Sequence, residues 1–271
     1  MRASDRVRPP GCAGRFYPAD AARLAESVDR LLAEAPTTTV DDDTPVAVVV
    51  PHAGYVYSGR VAASAYRQLA ERRGNIHRVI ILGPAHFARL TGAALPDCNL
   101  FATPLGEIEV DRSGCALAAS LPTVTVSAGA HAREHSIEVQ LPFLQRSLGA
   151  DISIVPIAVG RVETRLLADV ISALWTDEST AVVVSTDLSH YQDQATAERL
   201  DGYTAEAILR QDPLGIGERA ACGRYPLRAL LEVARERSLR MRQLDLRTSA
   251  DTTGDRSNVV GYGAFAAYSH R

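Results

Sequence analysis

The sequence predicts an α/β fold: a single-domain helix–sheet–helix sandwich with a mostly parallel central sheet. Three observations carry that prediction. Continuous apolar runs rich in β-branched residues recur at Val46–Val50, Val79–Leu82, Ile152–Val159 and Ala181–Val184. Such runs, without alternation, suit strands covered on both faces. Helix-like segments lie between them, the alternation that builds a sheet with helices on each side. Polar, ligand-capable residues then follow the apolar runs directly, as expected where a site forms beyond the carboxyl ends of parallel strands.

Taken in order, residues 1–12 read as a flexible N-terminal arm and residues 13–271 as one domain. Asp20 is placed to cap a helix whose Leu24, Val28, Leu31 and Leu32 form one apolar face. The stretch APTTTVDDDTP, residues 35–45, ends that helix as a surface loop. Further helices are expected over Gly59–Arg73 after Ser58, Ser136–Leu148, Glu163–Leu174, Gln194–Arg210 and Pro226–Arg237. Leu239–Leu246 and Val259–Tyr268 read as two more strands, joined by a polar segment and pairing antiparallel at one edge. No internal repeat or shift of composition marks a second domain.

Composition excludes several classes. Of 271 residues, 46% are hydrophobic and 23% charged, which rules out wholesale disorder. All 29 basic residues are arginine, so a P-loop lysine, a Schiff-base lysine and a Ser–Lys dyad are absent. A net charge of -3 argues against nucleic acid as partner. No apolar run approaches the ~18 residues of a membrane span, and the N-terminus shows no apolar signal segment. Cys12, Cys98, Cys115 and Cys222 form no CxxC pair, which fits a reducing, cytoplasmic setting.

The chemistry is expected at the strand ends. His52 follows the first apolar run, His86 the second, and Asp187 and His190 the fourth. Cys222 lies just before a predicted helix, where the helix dipole favours thiolate. Glu134, His135 and Glu138 sit in REHSIEVQLPF, with His135 and Glu138 three apart and so on one face if helical. A lone histidine at a strand end is ordinarily a hydrogen-bonded structural residue, and a lone cysteine a small buried hydrophobe. Four histidines in equivalent settings (His52, His86, His135, His190) favour a site. His77, His131 and His270 read as solvated. Local motifs such as HExxH, GxSxG, GxGxxG and Walker A are missing. The residues alone reach two histidines plus one cysteine, with Asp187, His190 and His135 as acid, base or supporting groups. That donor set resembles an open non-heme iron site with thiolate for carboxylate, for which copper and zinc compete with iron.

Seven ordered segments together resemble a known family. They are AGRFYP (Ala13–Pro18), PHAGYVYSG (Pro51–Gly59), LGPAH (Leu82–His86), TPLG (Thr103–Gly106), EHSIEVQLPFL (Glu134–Leu144), STDLSHY (Ser185–Tyr191) and ACGRYP (Ala221–Pro226). They look like the Memo family, whose prokaryotic branch is called AmmeMemoRadiSam system protein B. The resemblance implies an αβ(β)α sandwich like that of class III extradiol dioxygenases. It also implies a metal site at His52, His86 and Cys222, with Asp187 and His190 lining the pocket. Cys222 stands where the dioxygenases have a carboxylate ligand, which argues against ring cleavage. The family name further implies association with radical SAM and AMMECR-type proteins.

Three functions compete. The first is a redox protein holding iron or copper at His52, His86 and Cys222, with His190, His135 and Asp187 as catalytic groups and Tyr55 and Glu134 contacting substrate. The second is a binding or scaffold module that keeps the pocket for a small-molecule or peptide ligand. The third is a metal-assisted hydrolase in which Asp187 or Glu134 activates water.

Overall fold

The structure, a computed structural model, describes residues 6–36 and 44–269. Among the described residues the strands are β1 (Val7–Arg8), β2 (Pro45–Val50), β3 (Arg78–Pro84), β4 (Ala93–Leu95), β5 (Leu100–Thr103), β6 (Gly106–Val110), β7 (Val124–Val126), β8 (Ser153–Val159), β9 (Thr180–Ser185), β10 (His190–Gln192), β11 (Arg240–Thr248) and β12 (Val259–Tyr268). The helices are α1 (Ala21–Glu34), α2 (Tyr55–Leu69), α3 (Arg112–Ala119), α4 (Ala128–Ala132), α5 (Leu141–Leu148), α6 (Thr164–Leu174), α7 (Gln194–Leu209), α8 (Arg224–Glu236) and α9 (Ala250–Thr253).

The sheet runs β1-β5-β6-β8-β3-β9-β2-β12-β10, with β11 paired to β12. Its centre, β6-β8-β3-β9-β2, is parallel, and β12 closes it antiparallel to both β2 and β11. The continuous apolar runs follow from burial on both faces. Val48 and Val50, Val79 and Ile81, and Ala181 and Val183 pack in one core with α1, α2 and α5. Their alternates Ala47 and Val49, Ile80 and Leu82, and Val182 and Val184 pack in a second core with α6 and α8. Each fully buried Val, Ile or Leu contributes on the order of 1.5–3 kcal/mol, so this sandwich is the main source of stability.

Several elements differ from expectation. Helix α2 starts a turn early, capped by Gly54, and the Ser58 hydroxyl bonds Ala53 O at 2.9 Å instead of capping. Of the helix expected over Ser136–Leu148, the first part is a 3-10 turn at Glu138–Gln140, and α5 follows it. The short strands β4 to β7 and helix α3 carry too few residues each for a periodic signal.

The flexible-arm expectation fails for residues 6–12. Val7 and Arg8 pair with β5, and Arg8 and Cys12 are buried. Arg8 donates to His131 O, Glu134 O and Glu138 Oε2 at 2.8, 2.6 and 2.5 Å, so one arginine fastens the segment. Residues 1–5, residues 37–43 of the expected loop, and His270 lie outside the described residues.

Candidate metal centre

Strands β3, β9 and β2 are adjacent and parallel, so the residues just past their ends meet along one rim. His52 comes from the end of β2, His86 from the end of β3, and Asp187 from the end of β9. The loop before α8 brings Cys222 to the same place, with its Sγ 3.3 Å from His52 Nε2. The loop sits close because Gly223 lacks a side chain, since a Cβ there would meet Ser185 O at 2.8 Å. His52, His86 and Cys222 each offer a ligand atom, all within 4.8 Å of one another. Metal–sulfur and metal–nitrogen bonds of ordinary length around a tetrahedral ion place S and N ~3.5 Å apart, close to the spacing seen.

The hydrogen bonds fix which nitrogen of each imidazole is free. Ser185 Oγ donates to Ser136 O at 2.6 Å and receives Gln140 Nε2 at 2.9 Å. Its proton is thus committed, and it must accept from His52 Nδ1–H at 2.8 Å. Gln140 is itself oriented by Tyr66, whose hydroxyl donates to Oε1 at 2.9 Å. His86 Nδ1 donates to Glu134 Oε1 at 2.9 Å. Each ring is therefore held through Nδ1–H by an outer partner, so that its lone pair, in the neutral ring, falls on Nε2, the arrangement a ligand needs. Burial, then His86, His135 and His190, hold the His52 pKa well below its ordinary value.

Glu134 orients three donors besides the His86 ring: the backbone N–H groups of His86, His135 and Ser136, at 2.6 to 2.9 Å. Burial pushes its carboxyl up, yet the hydrogen bond and charge of His86 and the backbone donors prevail and bring it down to about 2. Its oxygens are occupied by protein donors, so the geometry makes Glu134 a support for the imidazoles rather than a substrate contact. His135 stacks on His86 with centroids 4.6 Å apart and lies edge-on to His52. Burial and His86 lower its pKa to about 4, and its Nδ1, 3.4 Å from Glu134 Oε1, makes no hydrogen bond among the described residues. Asp187 accepts from His52 N–H at 2.8 Å, and its pKa is raised by burial against that bond and the charge of His190. His190 donates Nδ1–H to Leu188 O at 2.8 Å, which puts the lone pair of the neutral ring on Nε2.

Other residues fall elsewhere. Tyr55 packs against Tyr17 and Phe143, and its hydroxyl donates to Val139 O at 2.7 Å, so it belongs to the core. The early start of α2 turns it inward. Glu138 does not share a face with His135; it accepts from Cys12 N–H, Gly11 N–H, Tyr17 OH and Arg8. His131 is buried and bonds Ala94 O at 2.9 Å, contrary to the solvated reading, while His77 is exposed. The Cys222 thiol is pushed up to about 12 by burial and then by Asp187, which outweigh the Asp187 N–H and other donors. The helix-dipole expectation fails for that reason, and a metal ion must displace the thiol proton to bind. Ser185, Gln140 and Tyr66 escaped the sequence reading. Their signal was a polar residue ending or interrupting an apolar run.

A family profile described as Memo-like protein matches residues 8–266. A MEMO1 family protein of Methanopyrus kandleri is 36% identical over 276 residues, covering 95% of this chain and 97% of that one. MEMO1 family proteins of Methanobrevibacter smithii and Aquifex aeolicus are 34% and 33% identical, again over 95% of this chain and 98% and 97% of theirs. The helix–sheet–helix architecture is the dioxygenase-like fold of that family. By profile match and by near-full-length relatives alike, this chain belongs to the Memo-like family.

Proposed function

We propose that the protein binds one iron or copper ion through His52 Nε2, His86 Nε2 and Cys222 Sγ, and uses it in redox chemistry on dioxygen or a small substrate. The observation that supports this most is that both rings are held through Nδ1–H, which turns two Nε2 atoms toward one sulfur, all within 4.8 Å. Two imidazoles and a thiolate form a soft donor set suited to copper, iron or zinc, and three protein ligands leave positions for a further molecule. When bound, the metal supplies electron transfer and Lewis acidity.

The chain's own groups supply the rest. Ser185 and Glu134 keep the two rings oriented and their Nδ1 atoms protonated. Cys222 gives up its proton on metal binding. His190 receives a proton at Nε2 from a bound molecule, and Asp187, beside it electrostatically, favours the charged ring that results. His135 forms a wall of the site together with Phe16 and the exposed Phe87, at centroid distances of 4.7 and 5.9 Å. A small-molecule or peptide ligand enters past that aromatic edge. Radical SAM and AMMECR-type proteins are the partners we expect to supply or receive it.

The test is anaerobic loading with Fe(II) or Cu(I), followed by air. Oxygen uptake together with a thiolate-to-metal absorption band, both lost in Cys222→Ala, is the expected result. A loaded protein inert to oxygen, or zinc held equally by wild type and Cys222→Ala, would overturn the redox reading.

A further inference from the structure

The segment 185–190 carries three groups of the centre, Ser185, Asp187 and His190. Around its Leu188–Ser189 peptide every backbone polar atom is held. Leu188 N–H donates to Gly261 O and Gly261 N–H to Ser189 O, each at 2.8 Å. Leu188 O accepts from His190 Nδ1–H at 2.8 Å. The remaining group, Ser189 N–H, donates to Asp201 Oδ1 at 2.9 Å.

That last acceptor is unlike the others. It is a carboxylate sent from α7, it is 1% exposed, and its Oδ2 has no hydrogen-bond partner among the described residues. Burying a half-satisfied carboxyl costs desolvation that an apolar side chain of the same size avoids. The neighbouring strand is also shaped for it, since a Cβ on Gly261 would lie 1.8 Å from Asp201 Oδ2. Two positions on separate elements, Asp201 and Gly261, are therefore matched so that one oxygen reaches Ser189 N–H. The residue after Ser189 is His190, whose tautomer depends on where Leu188 O lies.

We propose that Asp201 is a positioning residue: through Ser189 N–H it holds the 187–190 segment so that His190 keeps its Nδ1–H on Leu188 O, the neutral ring carrying its lone pair on Nε2. The importance of that nitrogen rests on the proton-transfer role proposed above, whereas the geometry does not.

The experiment reads the ring nitrogens of His190 in 15N-histidine-labelled, metal-free protein at the alkaline end of its pH titration, where the ring is neutral, with a His190→Gln control for assignment. Wild type should show separate protonated and unprotonated nitrogen signals for His190. Asp201→Asn keeps a carbonyl oxygen for Ser189 N–H and should preserve them. Asp201→Leu fills the space without an acceptor; its two signals should merge towards an average, and Ser189 amide exchange should quicken at least tenfold. Gly261→Ala should do the same with Asp201 still present, because the new methyl occupies the carboxyl's place. If either Asp201→Leu or Gly261→Ala fails to fold, the other decides. Unchanged His190 signals in a folded variant of either kind overturn the proposal. The signals need no metal, so failure of the redox reading leaves this result intact, and unchanged signals in a protein that still loads metal overturn the positioning role alone.

Discussion

Glu134 and Glu138 lie four residues apart, both are buried, and each accepts four or more hydrogen bonds, yet they hold different things. Glu138 gathers Arg8, Tyr17 OH and the N–H groups of Gly11 and Cys12, and so fastens the N-terminal segment to the body. Glu134 gathers the ring and backbone of His86 and the backbone of His135 and Ser136, and so orients the imidazoles. The partner chemistry separates them. A guanidinium keeps its charge throughout, whereas an imidazole gains or loses a proton within the working range. The first arrangement serves stability, and the second serves a site whose ligands must exchange a proton for a metal. Arg8 links the two, since it also donates to Glu134 O.

Removing Glu138 should give the largest effect on stability. Glu138→Ala leaves a buried arginine, a tyrosine hydroxyl and two backbone donors unpaired, and losing one member of a buried ion pair costs about 3–5 kcal/mol. Urea denaturation measures it, with metal binding by the remaining folded protein unchanged. A loss below ~1 kcal/mol would break the contrast.

Glu134→Gln should differ by reaching the metal, beyond the stability that its ionised carboxyl supplies. The near-isosteric amide keeps the shape but weakens the hold on His86 Nδ1–H, and loss of such an outer partner typically lowers metal affinity 10–100-fold. Competition against a chelator of known affinity reads that directly, and an unchanged affinity would show that Glu134 does not orient a ligand.

Acid should weaken the imidazole cluster and its carboxylate in two stages. The His135 pKa, about 4, lies below the ordinary 6.5, and burial sets His52 low as well. Unfolded imidazoles therefore take up protons that the folded ones refuse, and stability of the metal-free protein falls as pH drops below 6.5. Glu134 adds a second loss between 4.5 and about 2, on the order of 3 kcal/mol across that gap. Denaturation midpoints from pH 7 to 3 should decline throughout, and Glu134→Gln should shrink only the lower part. A flat profile to pH 4 would contradict the depressed imidazoles.

The smallest expected effect is at Phe16, whose ring lies 4.7 Å from that of His135. Phe16→Ala should cost about 0.5–1.5 kcal/mol from the lost ring contact, in addition to lost burial. Metal affinity should change little, as measured by the same competition assay.

What the sequence made legible follows from physical regularity. The strands of a two-sided core announce themselves as unbroken apolar runs, and a ligand placed after a strand end needs no partner to be noticed. His52 and His86 were visible for that reason, and Cys222 for its place just before a helix. The arrangements that set their protonation were not. Ser185 and Gln140 act only through contacts across 45 residues of chain, and neither shows a pattern locally. A two-residue strand fastened by one arginine has no periodicity, so the segment before residue 13 looked free. Tyr55 was misplaced because one turn of helix start decides which face a residue takes. At Cys222 the sequence shows the place before a helix to within a residue or two, but not the half-buried, poorly solvated seat beside Asp187.

The central claim is that two pre-set imidazoles and one cysteine form a metal centre. Elemental analysis of protein purified without metal-affinity steps, beside His52→Ala, His86→Ala and Cys222→Ala, tests it most directly. The account predicts near-stoichiometric iron or copper in the wild type and its loss in all three variants. Equal metal content in the wild type and the folded variants, or none in a folded wild type offered both metals, would contradict it.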